Sequence, residues 1–147
     1  GLWEAWNGVV EEVEGRVLVN MAVSRDHPAA KVTAYRPADG RIEVLAKRAG
    51  TYLVRPPAWA DRQRLQLVRG GQPQPIILGG PAEAYVQADG VQPGETLVLS
   101  WPVPRFTQTF SPNSVPGRNE TVTVRWLGNE VRSVAPRGKY LPMFVAE

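Results

Sequence analysis

The sequence has no cysteine and only one histidine among its 147 residues. Disulfide frameworks, thiolate zinc sites, iron–sulfur clusters and cysteine nucleophiles are therefore excluded within this chain. A zinc site normally needs three or four protein ligands, and His27 has no second histidine or cysteine to join it. We therefore expect no metal and no cofactor.

Long hydrophobic runs are also missing. No apolar stretch approaches the roughly 18 to 20 residues that span a bilayer, and no basic stretch followed by an apolar one opens the chain. The 17 Lys and Arg residues against 14 Asp and Glu residues leave a net charge of only +3. The basic residues are scattered, with Lys47 and Arg48 as the only adjacent pair. We therefore expect neither a membrane nor a nucleic-acid partner.

Glycine and proline are abundant instead, with 14 residues of each. They separate short runs in which apolar and polar residues alternate, a pattern typical of strands joined by turns. Roughly ten runs of ordinary strand length can be counted. These features predict an all-β fold: an antiparallel two-sheet β-sandwich, jelly-roll-like, forming a single domain over residues 1–147. Because the chain opens on Gly1 and an aromatic segment, we expect it to be excised from a longer multidomain protein.

The turns also predict individual strands and pairs. Residues 1–14 fit a short helix or an edge strand blunted by charge, and we favour the edge strand. Residues 16–24 alternate as one strand, with Val17, Val19, Met21 and Val23 on the core side. The remaining predictions are hairpins joining 31–35 to 41–46, 84–88 to 95–101, and 121–126 to 130–135, with an edge strand at 105–110.

The residues that could carry chemistry are few. His27 follows a predicted strand, either as a base beside Asp26 or as a cap for the turn, and we favour the cap. Paired carboxylates could serve a glycosidase, the candidates being Glu43, Asp61, Glu83, Asp89, Glu95, Glu120 and Glu130. Most of these border turns, where carboxylates are usually solvated, so we do not expect catalysis by this chain alone.

The five tryptophans are the strongest binding candidates. Trp101 and Trp126 fall in register with apolar positions and are predicted to lie in the core. Trp59 follows a strand on an irregular segment, and Trp3 and Trp6 make the chain end unusually aromatic, which usually marks a partner surface. The predicted contacts with a carbohydrate or a neighbouring domain are Trp3, Trp6, Trp59, His27 and Arg118, the last in a polar loop at 111–120.

Three strings resemble the C-terminal β region of the β-L-arabinofuranosidase-like glycoside hydrolases of family 127. They are NMAVSRDHPAAKV from Asn20, YRPADGRIEVLAKRAGTYLVRPPAWA from Tyr35, and VQPGETLVLSWPVP from Val91. Arg55, Pro57 and Trp59 match an Arg-x-Pro-x-Trp segment of that family. The resemblance covers roughly Val17 to Pro104.

This resemblance implies that the chemistry lies elsewhere in a longer protein. Catalysis in the family resembles a retaining mechanism with a cysteine nucleophile, a glutamate acid/base and a zinc held by cysteines and a glutamate, on an (α/α)6 barrel. Because this chain has no cysteine, none of those residues can be assigned to it. The resemblance implies a non-catalytic accessory domain that packs on the upstream catalytic barrel of the same chain. The alternative is a carbohydrate-binding module that contacts plant-type polysaccharide through exposed aromatics.

Overall fold

The computed structural model describes residues 1–35, 37–111 and 121–136. Within these ranges the chain forms one α-helix, α1 (Leu2–Asn7), and fourteen strands, so the predicted all-β class is confirmed. The strands are β1 (Val10–Val13), β2 (Arg16–Val19), β3 (Arg25–Asp26), β4 (Ala30–Ala34), β5 (Arg41–Ala46), β6 (Gly50–Val54), β7 (Gln66–Arg69), β8 (Gln72–Gln74), β9 (Leu78–Gly79), β10 (Tyr85–Val91), β11 (Thr96–Ser100), β12 (Arg105–Phe110), β13 (Val122–Leu127) and β14 (Glu130–Ala135). Three one-turn 3-10 helices lie at Pro37–Asp39, Arg62–Arg64 and Pro81–Glu83.

Contacts divide the chain into two compact units, residues 1–103 and 104–147. The first unit contains a five-stranded sheet, ordered β1-β2-β6-β10-β9, and a six-stranded sheet, ordered β3-β4-β5-β11-β7-β8. Val19 and Val54 of the first sheet belong to the same buried cluster as Val44 and Leu97 of the second. Since both sheets contribute their inward side chains to one core, the first unit has the predicted two-sheet architecture.

Alternation along the strands determines which side chains enter this core. In β11, Leu97 and Leu99 are almost fully buried while Val98 between them is not, as predicted for a strand with one face inward. The predicted pairing of β4 with β5 is also confirmed, with Val32 opposite Val44. These local patterns are the part of the fold that the sequence determines most directly.

The predicted strand over 16–24 ends early, at Val19. The Asn20 side chain donates to the Gly8 carbonyl at 2.8 Å and accepts from the Tyr85 hydroxyl at 2.7 Å. Beyond this point Met21 and Val23 are exposed, so their predicted place in the core is wrong. The strand therefore ends where the Asn20 side chain forms hydrogen bonds with two other segments of the chain.

The hairpin predicted between 84–88 and 95–101 is also wrong, because its two arms lie in different sheets. β10 pairs with β6 and β9, whereas β11 pairs with β5 and β7. The intervening turn is therefore an arch that crosses from one sheet to the other. A further departure from the antiparallel prediction is that β2 and β6 pair in parallel, with Val17 opposite Tyr52.

The second unit is described up to residue 136 and contains a three-stranded antiparallel sheet, ordered β12-β13-β14. The predicted hairpin of β13 with β14 and the edge position of β12 are both confirmed. Phe106 stacks on Trp126 with ring centroids 6.0 Å apart and planes 12° apart. Trp126 is only half-buried and is not among the buried residues of the described chain, so its predicted place in the core is wrong. Its ring packs on Phe106 of the neighbouring strand instead.

Candidate functional site

The N-terminal helix presents an exposed apolar surface. Leu2 is 93% exposed, Trp3 75% and Trp6 46%, and no residue of α1 is buried. We call Leu2, Trp3 and Trp6 the aromatic surface. A six-residue helix is too short to be stable by itself in water, so it depends on the contacts that tie it to the rest of the unit.

Arg25 provides the main contacts. Its guanidinium lies over the Trp6 ring, 5.6 Å from the centroid, and donates a hydrogen bond to the Trp6 carbonyl. A second nitrogen of the same group lies 3.4 Å from the Asn7 side-chain oxygen. At the end of the helix, the Asn20 side chain donates a hydrogen bond to the Gly8 carbonyl. Both alternatives considered for residues 1–14 occur in the structure. Residues 2–7 form the short helix, and β1 is the charged edge strand that we favoured.

His27 lies in the turn between β3 and β4. Its side-chain Nδ1 accepts a hydrogen bond from the Ala29 backbone N–H at 3.2 Å, and the His27 backbone N–H donates to the Ala30 carbonyl at 2.9 Å. Partial burial, followed by the charge of Arg25, lowers the pKa of the imidazole. The neutral form is the one that accepts at Nδ1, so the geometry and the pKa direction both suit a turn-capping histidine.

Among the described residues, the candidate glycosidase carboxylates mostly have structural partners. Glu95 accepts two bonds from Arg69, at 2.6 and 3.1 Å, and one from the Gln92 N–H. The Arg69 guanidinium, and then the Gln92 N–H, lower the pKa of Glu95. Asp89 accepts from Gln87 and Thr51, which lower its pKa. The others with partners are Glu43 (from the Tyr35 hydroxyl), Asp61 (a helix cap, from the Gln63 N–H) and Glu130 (paired with Arg132).

No group of three or more His, Cys, Asp or Glu side chains placed to hold a metal occurs in the part of the chain that the structure describes. Within the same residues, no helix has the length and apolar character needed to cross a membrane. Glu120 and Arg118 lie outside the described residues.

A cleft of about 470 Å³ opens in the first unit. Three segments of the chain line it: Asp39 and Gly40 before β5, residues 63–66 at the start of β7, and residues 100–102 at the end of β11. Trp101 is 8% exposed and belongs to the core cluster. The Trp101 backbone N–H donates to the Gly40 carbonyl at 2.8 Å, which joins two of the segments that line the cleft.

Trp59 supports this cleft from behind. Its ring meets the Trp101 ring edge-on, with centroids 6.4 Å apart and an interplanar angle of 80°, and it packs against the core. Trp59 is not itself among the residues that line the cleft. The structure therefore does not bring the predicted contacts into one site: Trp3 and Trp6 share the helix, while Trp59 lies behind the cleft.

The cleft has no signature in the sequence, because its lining comes from three segments separated by about 23 and 34 residues. One local signal was available. Asp61 followed by Gln63 is a capped turn, and the Asp61 carboxylate indeed accepts from the Gln63 N–H at 3.0 Å. That signal predicts the turn at 62–64 but not the residues it faces.

No protein-family model matches the sequence, and no curated protein matches it. Several solved structures match its fold, among them two GH127 enzymes. A GH127 β-L-arabinofuranosidase from Geobacillus stearothermophilus T6 matches 85% of this chain with a TM-score of 0.57 and 18% identity. A second GH127 β-arabinofuranosidase matches 84% with a TM-score of 0.53 and 16% identity.

These matches cover only 21% and 23% of the two enzymes. The chain therefore spans about a fifth of their length, and what it shares with them is the fold of one part. The resemblance seen in the sequence is confirmed by this likeness, in that the structural neighbours are enzymes of the expected kind.

Proposed function

We propose that this chain is a non-catalytic accessory domain of a glycoside hydrolase, which packs on a helical catalytic domain of the same protein. The observation that carries the proposal is the shared fold, which extends over 85% of this chain and only 21% of a GH127 enzyme. A chain that corresponds to a fifth of an enzyme is more readily a supporting part than a complete catalyst.

The side chains support an inactive role. A family 127 type of mechanism needs a cysteine, and the sequence has none. The candidate carboxylates Glu95 and Asp89 are held by Arg69, Gln87 and Thr51, with their pKa values lowered. A general acid at neutral pH needs a raised pKa instead, so these two groups are suited to structure and not to proton donation.

The aromatic surface is the docking face that we assign to this role. Leu2 and Trp3 are more exposed than large apolar side chains usually are, and Arg25 fixes Trp6 in place. Tryptophan is enriched at the centres of protein interfaces because one side chain buries a large area at low entropic cost. A preformed, anchored helix end therefore suits a permanent contact with a neighbouring domain.

The first test measures catalysis by the 147-residue chain. The purified chain is incubated with an aryl β-L-arabinofuranoside and with aryl glycosides of other sugars. We expect no release of the aryl alcohol above the rate of a buffer blank. Turnover by the pure chain that survives further purification would overturn the proposal.

The second test uses the longer protein encoded by the same reading frame, compared with its Trp3→Ser/Trp6→Ser variant. We expect the double variant to lower the melting temperature of the helical domain and the hydrolysis rate. Ile77→Ser is the matched control, since Ile77 is 50% exposed and lies outside the aromatic surface. A reading frame without a helical domain, or a double variant that behaves like Ile77→Ser, would contradict the docking role.

A further inference from the structure

The cleft beside Trp101 carries a set of polar side chains that the fold does not use. Among the described residues, none of the polar side chains that line it takes part in a hydrogen bond or an ion pair; they are those of Asp39, Gln63, Arg64, Gln66 and Ser100. Some exposed charged groups elsewhere in this unit do form ion pairs, as Lys47 does with Asp26 and Arg48 with Glu12. The side chains of the cleft are thus available to a ligand without breaking a bond within the described residues.

The cleft has the volume of a small-molecule site. Its volume of about 470 Å³ lies within the roughly 300 to 1,000 Å³ typical of ligand pockets. Leu65, Trp101 and Pro102 supply an apolar portion of the lining, and the first two are buried. Trp59 contacts Trp101 edge-on, and Gly40 approaches the Trp101 backbone closely, so this portion of the lining is packed against the core.

The chemistry of the lining indicates the class of ligand. The two glutamine amides and the serine hydroxyl both donate and accept hydrogen bonds, as the hydroxyl groups of a sugar do. Asp39 and Arg64 contribute one charge of each sign, so the described residues of the lining carry no net charge that would favour an ion. A phosphate or other strong anion would face the Asp39 carboxylate, and an apolar ligand would leave several polar groups without partners.

We propose that this cleft binds a neutral saccharide, with Gln63, Arg64 and Gln66 donating to its hydroxyl groups and Asp39 accepting from them. The site is separate from the aromatic surface and does not depend on the accessory role proposed above. It assigns the carbohydrate contact to residues other than the exposed tryptophans that the sequence singled out.

The test titrates the 147-residue chain with neutral arabino-oligosaccharides and, separately, with acidic galacturonate oligosaccharides. Binding is followed by calorimetry and by the assigned amide and indole N–H signals in NMR spectra. We expect saturable binding of a neutral oligosaccharide with a Kd of about 1 mM or below. The shifted signals should be those of residues 39–40, 63–66 and 101, whereas the indole signals of Trp3 and Trp6 should stay in place.

Two variants and two matched controls locate the site. Arg64→Ala and Gln63→Ala remove exposed side chains without partners, so both should fold normally, and Arg64→Ala should weaken binding about tenfold or more. The controls are Arg16→Ala and Gln72→Ala, which truncate exposed side chains outside the cleft and should leave the Kd unchanged.

Three outcomes would overturn the proposal. The first is no saturable binding of any neutral oligosaccharide. The second is binding that Arg64→Ala and Gln63→Ala weaken no more than the controls do. The third is binding of the acidic oligosaccharides alone, which would show that the cleft selects an anion and not a neutral sugar.

Discussion

Replacing Gly40 with alanine tests the close approach that shapes the cleft. Gly40 has φ +56°, and a methyl group on its Cα would overlap the Trp101 carbonyl oxygen and lie 2.8 Å from Cγ2 of Val103. The obstructing carbonyl belongs to the backbone and cannot rotate away as a side chain would. The Trp101 backbone N–H donates to the Gly40 carbonyl, so movement of either segment also strains that hydrogen bond.

Gly70 provides the matched control. Its φ is +54°, nearly the same as at Gly40, and a methyl group there would meet nothing within 4 Å. Gly70→Ala therefore costs only the left-handed backbone conformation, about 1 to 2 kcal/mol, less the lower entropy of the unfolded chain. Because Gly40→Ala shares both of these effects, the difference between the two variants isolates the steric overlap.

We expect Gly40→Ala to lose about 1 to 3 kcal/mol more free energy of unfolding than Gly70→Ala, the usual range for forcing an extra methyl into a packed site. Urea denaturation of both variants, followed by tryptophan fluorescence, gives the two values with one extrapolation procedure. The near-UV circular dichroism of Gly40→Ala should also change, since Trp101 and Trp59 move. Equal urea midpoints for the two variants would refute the assigned close approach.

Three further predictions concern side chains that hold segments together. Tyr52→Phe should lower the free energy of unfolding by about 0.5 to 1.5 kcal/mol, measured by thermal or urea unfolding, because it removes the hydroxyl that lies 2.9 Å from the Ala29 carbonyl. The cost stays modest because the Ala29 carbonyl still accepts from the Lys47 backbone N–H in the variant. Asn20→Ala should cost about 1 to 3 kcal/mol by urea unfolding, because it removes the acceptor of the largely buried Tyr85 hydroxyl. The lowered pKa of Glu95 implies that its ion pair stabilises the fold above the unfolded pKa, and that this stability is lost as the pH falls through the folded pKa. Arg69→Met should therefore lower the urea midpoint at neutral pH. It should also make the decrease of the midpoint below about pH 4 smaller than in the parent chain. Equal pH profiles for Arg69→Met and the parent chain would contradict that last assignment.

The elements that could be predicted from the sequence are those fixed by local signals. The Pro-Ala-Asp-Gly segment and the Leu127-Gly128-Asn129 turn each join strands that pair directly, so turn chemistry was sufficient there. Alternation predicted the buried face of β11 for the same reason. In each case, residues close in sequence decide the structure.

The predictions that failed depend on distant residues. The alternation in residues 20–23 is the same as in a core strand, but Asn20 bonds with Gly8 and Tyr85, 12 and 65 residues away. The cleft also depends on distant residues, since Asp39 and Arg64 belong to no recognisable motif and come together beside Trp101 only in the folded chain. The aromatic surface was easier to suspect, because Leu2, Trp3 and Trp6 place three large apolar side chains within five residues of each other.

The arch between β10 and β11 shows why turn chemistry alone cannot separate a hairpin from a crossing between sheets. Val86 and Leu97 are both buried, and they reach the same core from different sheets. Arg69, on the strand next to β11, donates to the Asp89 and Gly90 carbonyls and to the Glu95 carboxylate, so one guanidinium holds both ends of the arch. Because that partner is 20 to 26 residues away in sequence, the segment from 89 to 95 contains no local signal for it. The crossing is therefore decided by where β7 lies, which only the complete sheet order determines.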